Sequence, residues 1–191
     1  MTTYAAFLRA INVGGHVVKM DRLRQLVESL GHARVETVIA SGNVIFESAA
    51  RDRRRLESAI ALRLERELGY EVATFVRSAA ELEAIAAYRA FPESGIDLPG
   101  PAVYVGFLAE APPPPLRKAV ESLASAVDAF HFHGRELYWL CRARRSSDSE
   151  FSGARLEKIL KAPATLRNLT TVARMVERCR GRGAAARTRS P

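Results

Sequence analysis

Apolar positions along the chain change period several times, and each change marks an element. Residues 4–8 form a short continuous apolar run, the pattern of a buried strand. Over residues 20–30, Leu23, Leu26, Val27 and Leu30 recur at helical spacing, with Asp21 suited to the start and Gly31 to a left-handed exit. Residues 35–40 and 44–47 are β-branched runs on either side of Ser41-Gly42-Asn43, a hairpin signal. Leu56, Ile60, Leu64 and Leu68 stripe a second helix that Gly69 ends, and residues 72–77 read as another strand.

The order strand-helix-strand-strand-helix-strand is the ferredoxin-like arrangement. Right-handed crossovers make its first and second strands parallel. The exit of strand one and the turn after strand two therefore share one end of the sheet, and strand one also neighbours strand three. Arg9, Asn12, Gly14, Gly15, Ser41 and Asn43 are thus expected to be neighbours, with Gly42 supplying positive φ in the turn. Paired glycines permit close backbone approach, and N–H groups exposed in such loops hold anions. Together with Arg9, this makes the two loops the candidate ligand site. A turn requirement alone accounts for Gly31 and Gly42.

The second half is patterned less cleanly. Ser78 and Glu81 form a capping box that opens a helix running to about Arg89. Residues 91–101 are rich in Pro and Gly and read as a linker. A strand follows over 103–108, then prolines 112–115 lead into a helix carrying Leu116, Val120 and Leu123. Residues 127–133 and 136–141 form a hairpin about Gly134-Arg135, in a register that pairs Phe130 with Trp139 and Phe132 with Leu137. His131, His133, Glu136 and Tyr138 fall on the other face. They include metal-ligand types, but strand alternation alone yields that pattern, so the face reads as a solvated one and no metal site is assigned. Helices follow near 150–161 and 169–179. From the strand at 103–108 through the helix at 150–161 the order is βαββα, five elements that imperfectly echo the first unit without an evident residue repeat. In the segment 163–172, Asn168 is placed to cap the last helix and Arg167 lies beside its N-terminus, a favourable position for an anion.

Three segments carry a resemblance. Phe7-Leu-Arg-Ala-Ile-Asn-Val-Gly-Gly15, Ser41-Gly-Asn-Val-Ile-Phe46 and Ala164-Thr-Leu-Arg-Asn-Leu-Thr-Thr-Val172 resemble, in order and spacing, the signature segments of the bacterial domain of unknown function 1697 family (DUF1697). The resemblance spans about residues 3 to 179 and is specific only when the three are taken together. It implies a cytoplasmic bacterial protein built from ferredoxin-like α/β modules, and it brings no activity or cofactor. On the matching positions it marks Arg9, Asn12, Gly14, Gly15, Ser41, Gly42, Asn43, Thr165, Arg167 and Asn168. The chain departs from the pattern at Leu166, where the family has Thr, and at Leu169, where an aromatic is common.

The expected architecture is α/β (α+β): two ferredoxin-like plait modules with antiparallel sheets, the second imperfect, plus C-terminal helices. Residues 1–90 form the first module, 91–101 a linker, 102–179 the second module with its helices, and 180–191 a disordered basic tail. The formal charge of +8 is concentrated at the end. From Cys141 onward there are 13 Lys or Arg against 4 Asp or Glu, whereas the preceding 140 residues carry 16 and 17. A neutral body with a basic end predicts at most weak, salt-sensitive, nonspecific nucleic-acid affinity through the tail. No apolar run approaches the ~20 residues of a membrane helix, and no signal peptide is legible, so the expected location is the cytoplasm. Cys141 and Cys179 lack metal or redox spacing.

These features narrow the function without naming a reaction. Arg9, Arg167 and loop amides suit a phosphate- or carboxylate-bearing ligand, in one pocket formed by all three segments. None of the segments contains His, Cys, Asp or Glu, so acid–base chemistry would draw on a residue outside them, such as His16. Walker, nucleophile-elbow, zinc and dinucleotide motifs are absent. Two alternatives remain: a nucleic-acid-binding module, for which the sheet offers few aromatics, and a structural or interaction module without catalysis.

Overall fold

The computed structural model of the chain describes residues 1–12, 15, 17–92, 102–143 and 145–187, with 183–187 as backbone only. They fall into two compact units, one of residues 1–86 with those from 173 onward, the other of residues 87–172.

The first unit contains β1 (Thr2–Leu8), α1 (Met20–Glu28), β2 (Ala33–Thr37), β3 (Asn43–Ser48), α2 (Arg53–Leu68), β4 (Thr74–Ser78) and α3 (Ala79–Ala87). The sheet order is β2-β3-β1-β4, antiparallel throughout, which is the ferredoxin-like order expected from the sequence. Tyr4, Ala6, Leu8, Val44, Phe46 and Val76 pack with the stripes of α1 and α2. The local signals act as their chemistry requires. Asp52 accepts the Arg55 N–H at 3.2 Å to start α2, and Gly69 at φ 79° ends it. Ser78 and Glu81 form the reciprocal capping box, with the Ser78 N–H on Glu81 Oε2 at 2.8 Å and the Glu81 N–H on Ser78 Oγ at 3.3 Å. Residues on the opposite sheet face, Ala5, Phe7, Ile45, Phe75 and Arg77, are also buried. The strands therefore read as continuous apolar runs rather than alternating ones.

The second unit contains β5 (Ala102–Phe107), α4 (Pro114–Glu121), β6 (Asp128–His133), β7 (Glu136–Cys141), a short 3-10 turn (Ser146–Asp148), α5 (Gly153–Leu160) and β8 (Thr165–Asn168). Its order, β6-β7-β5-β8, matches that of the first sheet. The hairpin pairs Phe130 with Trp139 and Phe132 with Leu137 as expected, and Gly134 turns at φ 60°. The sixth element is β8. Its four residues carry one aliphatic side chain and read in sequence as a loop before a cap, and pairing with β5 makes them a strand. The plait is therefore complete.

Register exposes a repeat that linear inspection does not. Tyr4-Ala-Ala-Phe-Leu8 of β1 corresponds to Tyr104-Val-Gly-Phe-Leu108, which opens in β5. Tyr4 lies opposite Phe46 and Ser78, and Tyr104 opposite Trp139 and Asn168. Ala5 pairs with Arg77 and Val105 with Arg167. Leu56-Glu57 of α2 corresponds to Leu156-Glu157 of α5, in helices capped by Asp52 and Ser152 through the N–H groups of Arg55 and Arg155.

The last helix, α6 (Leu169–Arg187), continues past the expected end at Cys179 and covers residues 181–187, where composition predicted disorder. Residues 188–191 and the linker positions 93–101 lie outside the described residues. Side chains of α6 engage acids of the first unit. Arg178 and Arg182 pair with Glu36, Arg182 also donates to the Arg34 carbonyl, and Arg180 pairs with Glu83.

Candidate functional site

The two glycine-containing loops of the first unit meet where strand topology requires. Phe7 pairs with Asn43, the Leu8 N–H donates to the Gly42 carbonyl at 2.8 Å, and the Arg9 N–H donates to the Ala73 carbonyl at 2.9 Å. Asn12 joins the loops directly: its amide donates to the Ala40 carbonyl at 2.7 Å and to the Val18 carbonyl at 3.3 Å, and its Oδ1 accepts the Val18 N–H at 2.6 Å. Asn43 is buried and braces the second loop, donating to the Val38 carbonyl and to Ser41 Oγ, both at 3.0 Å. A Cβ on Gly42 would stand 2.8 Å from Ile11 Cβ and 3.2 Å from Leu8 Cβ, so glycine is needed for close approach as well as for its φ of 77°.

Asn12, Gly42 and Asn43 thus have structural work in the loops. Arg9 is half-buried, while Ser41 and Gly15 are exposed at the same end. Gly14 and the candidate base His16 lie outside the described residues.

The backbone there is unusual. Five non-glycine residues among those described have positive φ, and three belong to these loops: Ala10 at 63°, Asn12 at 55° and Ile39 at 62°. Asn tolerates this conformation, but a β-branched residue does so only under strain. Ile39 is also 45% exposed, so burial does not offset that strain.

The third segment lies on β8 of the second unit. Arg167 is 9% exposed, and its Nη1 donates to Thr165 Oγ1 at 2.7 Å and to the Leu166 carbonyl at 2.8 Å. Burial lowers its pKa to about 10. Asn168 caps α6 as expected, accepting from the Thr170 N–H at 2.9 Å and the Thr170 hydroxyl at 2.8 Å.

Arg77, which the sequence reading passed over, is the counterpart of Arg167. It is fully buried and donates from Nη1 to the preceding carbonyl, Val76, at 2.9 Å. Beside it, Glu57 accepts the Val76 N–H at 2.8 Å and pairs with Arg53 at 2.7 Å. The sequence signal was an arginine ending the largely apolar run 72–76; its equivalence to Arg167 appears only in the register opposite Ala5 and Val105.

The hairpin face expected to be solvated is covered over Glu136 and Tyr138, while His133 stays exposed. Tyr138 is 1% exposed and Glu136 7%. The Tyr88 ring stacks on His133 with centroids 4.1 Å apart, and its hydroxyl lies 2.8 Å from His131 Nε2. Tyr88 follows α3, and nothing in the hairpin's own alternation announces it. Burial pushes the Tyr138 hydroxyl well above its ordinary pKa, with Glu136 and Tyr88 adding to the effect. Among the described residues, no three His, Cys, Asp or Glu side chains converge as a metal would require.

Two other readings meet physical obstacles. Tyr4, Phe7 and Phe46, the aromatics of the first and third strands, are buried and give no stacking platform for bases. The charge of the basic C-terminal stretch is partly engaged internally, since Arg178, Arg180 and Arg182 have acidic partners. No helix among the described residues is long and apolar enough to cross a membrane.

Comparison with known proteins agrees with the fold. The family model described as Protein of unknown function (DUF1697) matches residues 1–138, and the chain belongs to that family. The match includes both loops of the first unit and stops before the Thr165–Asn168 segment. Among solved structures, the conserved bacterial protein SP0830 from Streptococcus pneumoniae is similar, with a TM-score of 0.72 and 25% identity over 94% of this chain and 99% of that one. No curated protein matches the chain.

Proposed function

We propose that this DUF1697 member binds a small anion, a phosphate or carboxylate group, at the paired loops 9–15 and 39–43. The observation that carries the reading is the concentration of left-handed backbone there. Ala10 and Asn12 have positive φ while Ile11 between them does not, and Gly15 and Gly42 add two more positive-φ positions. Alternating φ sign is the backbone habit of anion-cupping loops, and strain of this kind collects at ligand sites. Arg9 supplies the cation and Ser41 a hydroxyl, while Asn12 and Asn43 hold the loops in shape. No catalytic step is assigned.

The test is a titration of the full chain with inorganic phosphate and, separately, acetate, followed through backbone amide resonances. Saturable shifts confined to residues 9–15 and 39–43 are expected, with affinity falling about tenfold in Arg9→Gln through loss of a charge-assisted hydrogen bond. An absence of saturable shifts up to about 10 mM would sink the proposal. Thr165, Arg167 and Asn168 enter through the same titration. If Arg167→Lys weakens binding and does so non-additively with Arg9→Gln, they serve the same ligand. No loss in that variant confines the site to the first module.

A further inference from the structure

The second module carries a cleft whose described lining is mostly acidic and apolar. Its largest elaboration is the β7–α5 connection, residues 142–152. The part described from Ser149 to Phe151 folds over the start of β6 and leaves a cleft of about 350 Å³. That is near the lower end of small-ligand sites, roughly 300–1,000 Å³. Phe151, buried against Trp139 and Phe130, lines it, with Leu123 and Val127 forming apolar walls.

Asp128 gives the cleft its chemistry. It is 6% exposed and lines the cavity. Its Oδ1 accepts the Trp139 indole N–H at 2.7 Å, and its Oδ2 accepts the Ser149 hydroxyl at 2.8 Å. Both partners are neutral. Among the described residues no Lys, Arg or His pairs with this carboxylate, although buried charges ordinarily have a counter-charge. The rim adds Asp148 and Glu150, with Arg155 directed to Glu150 at 3.8 Å. Among the described residues the lining carries three carboxylates and one guanidinium. Ser125 fixes the approach by accepting the N–H groups of Val127 and Asp128 at 3.1 and 3.0 Å.

We infer that this cleft binds a small organic cation, an ammonium group on a short apolar body. The ammonium donates to the open lone pairs of Asp128 and to Asp148 at the rim, and the hydrocarbon lies against Leu123, Val127 and Phe151. A bare metal ion would leave those apolar walls without a partner, and an anion would meet an excess of carboxylates.

The chain has one tryptophan, and its indole is hydrogen-bonded to Asp128, so its fluorescence reports on the site directly. The full chain is titrated with n-butylammonium, with 1-butanol as the neutral isostere and butyrate as the anionic one. A saturable change in Trp139 emission is expected with n-butylammonium alone, at a Kd on the order of 1 mM. Asp148→Asn, at an exposed position, is expected to weaken it about threefold. No saturable change in the unaltered chain, or an equal response to 1-butanol, would overturn the inference. So would unchanged affinity in both Asp148→Asn and Asp128→Asn. The three-probe comparison stands even if Asp128→Asn fails to fold.

Discussion

In the first module, residues 9–19 join β1 to α1 and residues 38–42 join β2 to β3. In the second, the corresponding joins are residues 108–113 and the pair Gly134-Arg135. The order of lengths reverses at the other end of the plait, where residues 49–52 join β3 to α2 but 142–152 join β7 to α5. The framework is held in common down to the pairing of Ala5 with Arg77 and of Val105 with Arg167. What differs is which end of the sheet has been built out. The first module is elaborated where β1 exits, around Arg9, Ala10 and Ile39. The second is elaborated where β7 exits, around Asp128 and Phe151. The two sheets share one strand order, and the two proposed sites, of opposite charge preference, lie in the connections that sheet pairing leaves free.

The comparison breaks most readily at the paired glutamates. Glu57 is buried, accepts the Val76 N–H, pairs with Arg53 and lies 3.9 Å from Arg77 Nη1. Its counterpart Glu157 is half-buried and accepts the Ala164 N–H at 2.9 Å. Glu57→Ala is expected to destabilise by about 3–5 kcal/mol, as removal of one member of a buried charge network does. Glu157→Ala is expected to lose less, about 1–1.5 kcal/mol, because its side chain is only half-buried where it accepts the Ala164 N–H. Urea unfolding followed by circular dichroism measures both, and equal losses would mean that the arginines add nothing in the first module.

Next in size are the hairpin glycines. Gly42→Ala meets both the left-handed φ and a contact at 2.8 Å, so a loss of about 2–4 kcal/mol is expected. Gly134→Ala meets the φ term alone, its nearest neighbour being Glu136 Oε2 at 3.6 Å, for about 1–2 kcal/mol. A Gly134→Ala loss as large as that of Gly42→Ala would remove the argument that the first module's turn is packed against its neighbouring loop.

The smallest effect concerns the thiols. Burial pushes Cys179 up to about 11 and raises Cys141 as well. The folded state therefore keeps the Cys179 proton at pH values where the unfolded chain has released it. Its contribution to stability is complete below about pH 9 and declines as pH rises toward 11. Denaturation midpoints between pH 8 and 10.5 should fall more steeply in the native sequence than in Cys179→Ala. Rapid alkylation of Cys179 by iodoacetamide in the folded protein at pH 8 would contradict its burial.

Legibility in the sequence followed the range of the interactions involved. The first module, its strand order and the meeting of its two loops could be read from period, caps and crossover handedness, because each signal lies within one element. β8 could not, because Thr165–Asn168 has too few apolar residues to register as a strand until β5 pairs with it. The repeat was hidden for a related reason. Tyr4 to Leu8 and Tyr104 to Leu108 are identical at three of five positions, but the intervening connections differ in length, so only register aligns the halves. The covered face of the second hairpin was missed because Tyr88 comes from outside it. The cleft was missed because Asp128 and Phe151 are 23 residues apart, joined through an irregular connection without periodicity.

By itself, then, the sequence determined the elements, the ferredoxin-like order of the first half and the polar loops that close one end of it. Hydrophobic period, capping and turn chemistry are local properties of a chain and survive without a fold. Tertiary structure alone decided that Asn12 and Asn43 brace those loops, that Arg77 and Arg167 are equivalent, and that a carboxylate beside Trp139 faces a cavity. Each depends on which segments are brought into contact, and contact between distant segments is fixed by strand pairing and burial rather than by any residue's own preference.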